Sequence, residues 1–330
     1  MPHELAIAAG TAAAVTVITE PLVIRWLARA IVLDIPNDRS SHSIPVPRGG
    51  GVALVLGTAS GALLADRGAW PGIAVVGAFA ALGLADDLTD VPAFRRLVAQ
   101  IVLGAATGLM VASLTDSPRV AFAVVVCSLL LPSAVNAVNF MDGINGMTGL
   151  NAAASGVLFA VAAWHVGATS VAVLAIALAG GAVGFLPWNL GRARVFLGDV
   201  GSYAVGAGLG LCAVAVWLAG AGVLAAIGPL LLYFADTGST LVRRAVRHEQ
   251  LLEAHHSHSY QRLTDLGLGH TSVATFTALT SAAIGSLLVT ASWSEGRVLP
   301  PLFAAGLLLA AYLTSPELLE VWRKRRSADL

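Results

Sequence analysis

The sequence predicts an all-α integral membrane protein, and three observations carry that prediction. Hydrophobic residues fill 57% of the 330 positions and the mean hydropathy is +0.80, whereas a soluble domain is nearer about 45–50% apolar. Charged residues make up only 12%. Apolar stretches also recur at roughly the 17–25 residues that cross a hydrocarbon core. Eleven spans are expected, at about 5–32, 49–65, 71–86, 96–115, 119–139, 147–166, 169–188, 201–219, 221–240, 272–292 and 298–315. Several are short, and the second and third are rich in Gly and Ala, so ten also fits. The first lacks a basic n-region and runs too long for a cleavable signal peptide, so it reads as a retained helix.

Lys and Arg set the expected orientation. With the N-terminus outside, sixteen of the 19 basic residues fall on the inner side, and only Arg67, Arg119 and Arg297 lie outside. Short-loop asymmetry of this kind marks the cytoplasmic face. The expected domain is a single unit, 1–330. Its cytoplasmic loops lie at about 33–48, 86–96, 140–147, 188–200 and 241–271, followed by a basic cytoplasmic tail at 316–330. The formal net charge of zero hides this asymmetry and gives no reason to expect nucleic acid. Cys127 and Cys212 both lie within apolar spans, as small buried hydrophobes do, and support neither a disulfide framework nor a zinc pattern.

Every polar constellation falls in an inner loop. The first runs from Asp34 through Arg39 and His42 to Pro47, Arg48 and Gly49, a proline- and glycine-rich stretch that is not helical. The second is Asp86, Asp87 and Asp90, which on a helix would crowd three like charges onto one turn. A divalent cation or a cationic substrate group would relieve that repulsion; a solvated acidic cap is the plainer alternative. The third is Asn136, Asn139, Asp142, Gly143, Asn145 and Gly146. An Asp costs about 2.5–3.5 kcal/mol at a helix centre in the bilayer, so such groups face a wet cavity. The fourth is Arg192, Arg194, Phe196, Gly198, Asp199 and Gly201. Its glycines would let a ligand approach the backbone, and Asp199 is either a metal ligand or a helix N-cap. The fifth holds Arg243, Arg244, Arg247 and a cluster of His255, His256 and His258, suited to phosphates or, less simply, to zinc.

Taken in order, these pieces resemble the polyprenyl-phosphate N-acetylhexosamine-1-phosphate transferases. The matching residues are Pro47 to Gly50, Asp86-Asp87-x-x-Asp90, Asn136-x-x-Asn139-x-x-Asp142-Gly143-x-x-Gly146, Phe196-x-Gly198-Asp199-x-Gly201-Ser202 and the His-rich last large loop. The resemblance runs from Asp34 to about Leu263. It implies transfer of HexNAc 1-phosphate from a UDP-HexNAc to undecaprenyl or another polyprenyl phosphate, with release of UMP and with Mg2+ or Mn2+ as cofactor. It also implies a multi-pass protein of the inner (plasma) membrane and allows a homodimer.

Carried over residue by residue, the resemblance makes Asp86, Asp87, Asp199, His255, His256 and His258 catalytic. Asp199, Asp87 and Asn139 would hold the metal. Arg48, Asn136, Asn139, Asp142, Asn145, Phe196, Arg194 and Arg243 would bind substrate. Ala254-His255-His256-Ser257-His258 looks like members that prime O-antigen or related surface polysaccharides. It departs from the three-consecutive-His pattern of phospho-N-acetylmuramoyl-pentapeptide transferase, the first alternative. A polytopic transporter, the second, would place its ionisable groups near the midplane.

Overall fold

The computed structural model describes residues 2–30, 32–34, 45–114, 120–250, 256–294 and 296–328. Arg39, His42, Arg119 and His255 lie outside the described residues. The expected all-α membrane architecture is what the chain adopts. The helices are α1 (Pro2–Arg29), α2 (Gly51–Ala65), α3 (Trp70–Thr89), α4 (Ala93–Leu114), α5 (Val120–Met141), α6 (Met147–His165) and α7 (Thr169–Asn189). They continue with α8 (Gly198–Leu218), α9 (Val223–Ile227), α10 (Leu231–Val246), α11 (Ser259–Asp265), α12 (His270–Ala291) and α13 (Leu299–Ala328).

Ten helical stretches among the described residues are long and apolar enough to cross a membrane. The second expected span, 49–65, is α2, whose 15 residues reach only about 22 Å at 1.5 Å per residue. The ninth is longer than expected. It joins α9 to α10 through a 3-10 turn at Gly228–Leu230 and runs to Val246, so the last large loop begins later than 241. The first loop adds an antiparallel ladder that the sequence did not suggest, pairing Leu33 with Pro47 and Asp34 with Val46.

Small residues bring the helices together, as they must where lipid tails remove any hydrophobic drive between helices. A methyl built on Gly57 would lie 2.1 Å from Thr16 Oγ1, and one on Gly61 2.3 Å from the Ala8 carbonyl, so α2 lies directly on α1. Gly180 and Gly184 seat α7 on Ala9 and Ala13 of the same helix, and Gly104 and Gly108 seat α4 on α5. At the centre is α8, in which every residue from Gly198 to Val214 is buried. Its N-terminal turn meets the start of α2 and the C-terminal turn of α3: a methyl on Gly51 would lie 2.2 Å from Gly201 Cα, and one on Gly83 2.2 Å from the Asp199 carbonyl.

Candidate active site

The site grows from that end of α8. The Phe196 backbone N–H donates to Pro47 O at 2.8 Å, and the Gly49 and Gly50 N–H groups donate to Phe196 O at 3.1 and 2.9 Å. The segment before α8 is therefore pinned to the Pro47–Gly50 turn. Gly198 at φ +76° and Gly49 at φ +118° hold left-handed conformations there, which glycine adopts without steric cost. A methyl on Gly198 would collide with Gly49 at 2.8 Å and with Asp87 Oδ2 at 2.7 Å. These glycines admit the neighbouring backbone of the Pro47–Gly50 turn.

Asp87, reaching across from α3, caps α8. Its Oδ1 accepts from the Asp199 N–H and its Oδ2 from the Val200 N–H, both at 2.9 Å. Of the two readings of Asp199, the capping role thus belongs to Asp87, and the Asp199 side chain takes its partners within the site. Arg48 ties the two carboxylates together, with Nε 2.9 Å from Asp87 Oδ1 and a terminal nitrogen 2.7 Å from Asp199 Oδ2. The Arg48 side chain remains 38% exposed while the Asp87 and Asp199 side chains are 1% and 8% exposed, so the cation is the accessible member. Asn139 Nδ2 donates to Asp199 Oδ1 at 2.6 Å and to Ser202 Oγ at 3.0 Å.

Asp86 turns the other way. Its Oδ2 accepts from Arg96 at 2.8 Å and from the Tyr203 hydroxyl at 2.9 Å, and its Oδ1 from the Val91 N–H at 2.9 Å. Asp90 ends α3 in a left-handed conformation at φ 49°. The three acids expected on one turn are therefore separated, and the relief comes from the protein's own Arg48 and Arg96 as well as from the turn itself. Asn136 likewise diverges from Asn139. It donates to Gln100 Oε1 at 2.6 Å, linking α5 to α4.

Asp142 lies in the turn after α5, half-buried. Burial, reinforced by the nearby Asp199 and Asp87 charges, pushes its carboxyl up to about 7. Asn145 donates to Gly191 O at 2.6 Å, and Asn189 accepts from the Gly146 N–H at 2.7 Å while donating to Val195 O at 3.0 Å. Those bonds join the Asp142 turn to the segment leading into α8. Arg194 is exposed and sits over the Trp188 ring at 5.6 Å.

Beneath the same turn lies α11. The Tyr260 hydroxyl donates to Phe140 O at 3.0 Å, and a methyl on Gly143 would strike it. His258, 2% exposed, stacks on Tyr260 at 5.8 Å. Its Nδ1 lies 3.6 Å from Asp236 Oδ1. Fully buried Asp236 also accepts from Ser259 N at 3.1 Å and from the Tyr312 hydroxyl at 3.1 Å. Arg243 donates to Thr240 Oγ1 and Ser257 O at 2.8 and 3.1 Å, bracing the strand of chain before α11. His256 faces Asp265 at 3.1 Å.

The profile of glycosyl transferase family 4 matches residues 70–217. The decaprenyl-phosphate N-acetylglucosaminephosphotransferase of Mycolicibacterium smegmatis is 30% identical, over 81% of this chain and 77% of its own length. This chain belongs to the polyprenyl-phosphate N-acetylhexosamine-1-phosphate transferase family. The probable undecaprenyl-phosphate N-acetylglucosaminyl 1-phosphate transferase of Bacillus subtilis is 26% identical over 77% of the chain. A phospho-N-acetylmuramoyl-pentapeptide-transferase, from Desulforudis audaxviator, is 30% identical over a shorter 63%.

Within this family member, Arg48, Asp87, Asn139 and Asp199 form one bonded group, with Asp142 electrostatically coupled to it. Asp86, Asn136, Arg243 and His256 are engaged by neighbouring protein groups, and Phe196 contributes its backbone to the turn that carries Arg48. The sequence did not single out Tyr203, and it offered Asn189, Ser202 and Tyr260 only as members of motifs, with no role for any of them. Their partners lie far away along the chain, and no local spacing signals them. Asp236 is a lone acid near the inner end of its span, and nothing local signals its link to the histidine element.

Proposed function

We propose that this chain transfers GlcNAc 1-phosphate from UDP-GlcNAc to a polyprenyl phosphate, yielding polyprenyl-diphosphoryl-GlcNAc and UMP. The observation that carries this reading is the Arg48 fork across Asp87 and Asp199 at the N-terminus of α8. An accessible guanidinium at the mouth suits phosphates, and the relatives' printed activities supply the substrate class. In the reaction an oxygen of the lipid phosphate attacks the phosphorus that bears the sugar. The new P–O bond forms as the bond to UMP breaks, and UMP leaves with the electron pair. The second pKa of a phosphate monoester is about 6, so the attacking group is largely ionised at neutral pH and needs no dedicated base.

A divalent cation fits the donors present. Among the described residues no three His, Cys, Asp or Glu side chains form a ready cage, but Mg2+ is commonly held by one or two carboxylates together with substrate phosphates. Each Asp199 carboxylate oxygen accepts one hydrogen bond, which leaves lone pairs for a hard cation. Asp87, Arg48 and Asp199 together carry one net negative charge, unfavourable for two anionic substrates. Mg2+ or Mn2+ held by Asp199, with Asp87 and Asn139 beside it, would offset that charge and stabilise the charge that develops on the leaving phosphate. Arg48 orients a phosphate at the mouth, Asp87 fixes the first turn of α8, and Asn139 keeps the Asp199 carboxylate aligned. Phe196, Asn145 and Arg194 flank the approach for the nucleotide.

The basic-residue asymmetry favours the cytoplasm for this end of the bundle, with the N-terminus outside and the protein in the inner membrane. Incubating the purified protein with polyprenyl phosphate, Mg2+ and a panel of UDP-sugars, while following UMP, tests the proposal. Release with UDP-GlcNAc or a UDP-linked 6-deoxy-HexNAc is expected. Efficient turnover of UDP-muramoyl-pentapeptide instead would move the chain to the peptidoglycan branch.

A further inference from the structure

α13 outruns the membrane. Its 30 residues measure about 45 Å against a hydrocarbon core of about 30 Å. The excess lies at its C-terminal end, on the active-site side, because Glu317 pairs with Arg262 of α11. At helical spacing this end has two opposite faces. One carries Tyr312, Pro316, Leu319 and Arg323, and it packs inward: Tyr312 and Pro316 are buried, Tyr312 donates to Asp236, and the Arg323 guanidinium lies about 4 Å from a methyl built on Gly267 in the turn after α11.

The other face carries Leu318, Val321 and Trp322, 62%, 50% and 53% exposed, and ends in Arg325 and Arg326. The Arg326 guanidinium sits over the Trp322 ring at 5.3 Å. This stripe is in register with Phe303 and Leu307, 70% and 55% exposed on the membrane-spanning part of the same helix. An outward apolar stripe continuous with the lipid-facing surface, ending in Trp and Arg, matches side chains that bury their bodies at a bilayer interface and extend their charges to its headgroups.

We propose that the last turns of α13 bind anionic phospholipid headgroups of the leaflet beside the active site, and that this contact steadies the histidine element. The stripe is continuous with lipid, and Lys324, Arg325 and Arg326, apart from the inward-lying Arg323, complement negative headgroups. Lys324 is partly committed to Glu320 at 2.7 Å. The inward face makes the contact consequential. Glu317 holds Arg262 of α11, and Tyr312 shares Asp236 with Ser259 and His258, so a displaced α13 end would shift His258 beneath the Asp142 turn.

The test uses the full chain in vesicles of phosphatidylcholine with or without phosphatidylglycerol. Because the chain has seven tryptophans, quenching by brominated lipids is taken as the difference between wild type and Trp322→Phe. Trp322 should be quenched more strongly by brominated phosphatidylglycerol than by brominated phosphatidylcholine. A Lys324→Gln/Arg325→Gln/Arg326→Gln variant should lose that preference, at roughly fivefold in lipid affinity per charge removed. UMP release should rise severalfold with phosphatidylglycerol in wild type and stay flat in the triple variant. Glu317→Gln should keep the quenching preference and lose the rate response. Equal quenching by both lipids overturns the proposal and leaves the stripe to a protein partner. An equal rate response in wild type and Glu317→Gln overturns the coupling. The activity arm rests on the proposed transfer reaction, whereas the quenching arm stands without it, so the two failures are distinguishable.

Discussion

Asp87→Ala should be the most destabilising single change in the site, and its cost can be worked from the contacts. Asp87 accepts two backbone N–H groups of α8 at 2.9 Å and pairs with Arg48 at 2.9 Å, with its side chain 1% exposed. Losing a helix N-cap costs about 0.5–2 kcal/mol, and removing one partner of a buried ion pair about 3–5 kcal/mol. Arg48 keeps Asp199 and is partly exposed, which lowers the second figure, so a total of about 3–5 kcal/mol is expected. At a couple of degrees per kcal/mol in a chain of this size, that is a fall on the order of 5–10 °C in Tm. Cys127 and Cys212 are both fully buried, so a thiol-reactive dye in detergent reports unfolding directly. Asp199→Ala, which leaves the α8 cap in place, should lower Tm by less than half as much. An unchanged Tm in Asp87→Ala, or a larger fall in Asp199→Ala, would refute the assignment of the cap to Asp87.

Two further outcomes rest on the geometry and a third on the basic-residue asymmetry. Asp142 has its carboxyl raised from 3.8 to about 7, so across that window the folded state holds a proton the unfolded chain has lost, and stability falls as pH rises. Asp142→Asn removes this slope: in metal-free detergent solution its Tm relative to wild type should climb from about pH 4 to 7, and parallel Tm–pH curves would contradict it. Gly51→Ala would place a methyl 2.2 Å from Gly201 Cα, while Gly77→Ala meets nothing within 4 Å; only the first should lower Tm and activity, and a tolerated Gly51→Ala would show that α2 and α8 are not in contact. A single Cys at Ser257, in a chain lacking Cys127 and Cys212, should resist impermeant thiol reagents on intact cells, and labelling from outside would reverse the proposed orientation.

The spans were legible because apolar composition is a local property, and all eleven stretches have helical counterparts. α2 was marked as doubtful by its Gly and Ala content, and those glycines prove to be what lays it against α1 and α8. The site was legible only in part. Residue types and their order identified the group around Asp199, yet adjacent acids separate in space. On a helix Asp86 and Asp87 point about 100° apart, and one reaches Arg96 and Tyr203 while the other reaches Arg48 and α8. Asn136 and Asn139, i,i+3 and only about 60° apart on α5, still divide between Gln100 of α4 and Asp199 of α8 because two different helices cover that face. Periodicity gives the face of one helix but not which neighbour covers it, and no spacing in this chain announces that Arg48 lies between Asp87 and Asp199.

In the proposed reaction Asp199, held by Arg48 and Asn139 at the mouth of α8, serves transfer of GlcNAc 1-phosphate to a polyprenyl phosphate. The most direct measurement is Mg2+-dependent UMP release from UDP-GlcNAc by wild type and Asp199→Asn, with the Tm of both recorded in the same detergent. Asp199→Asn should stay folded and lose turnover by at least about a hundredfold, the scale on which a group stabilising developing charge matters. A folded Asp199→Asn enzyme that releases UMP at the wild-type rate would contradict it.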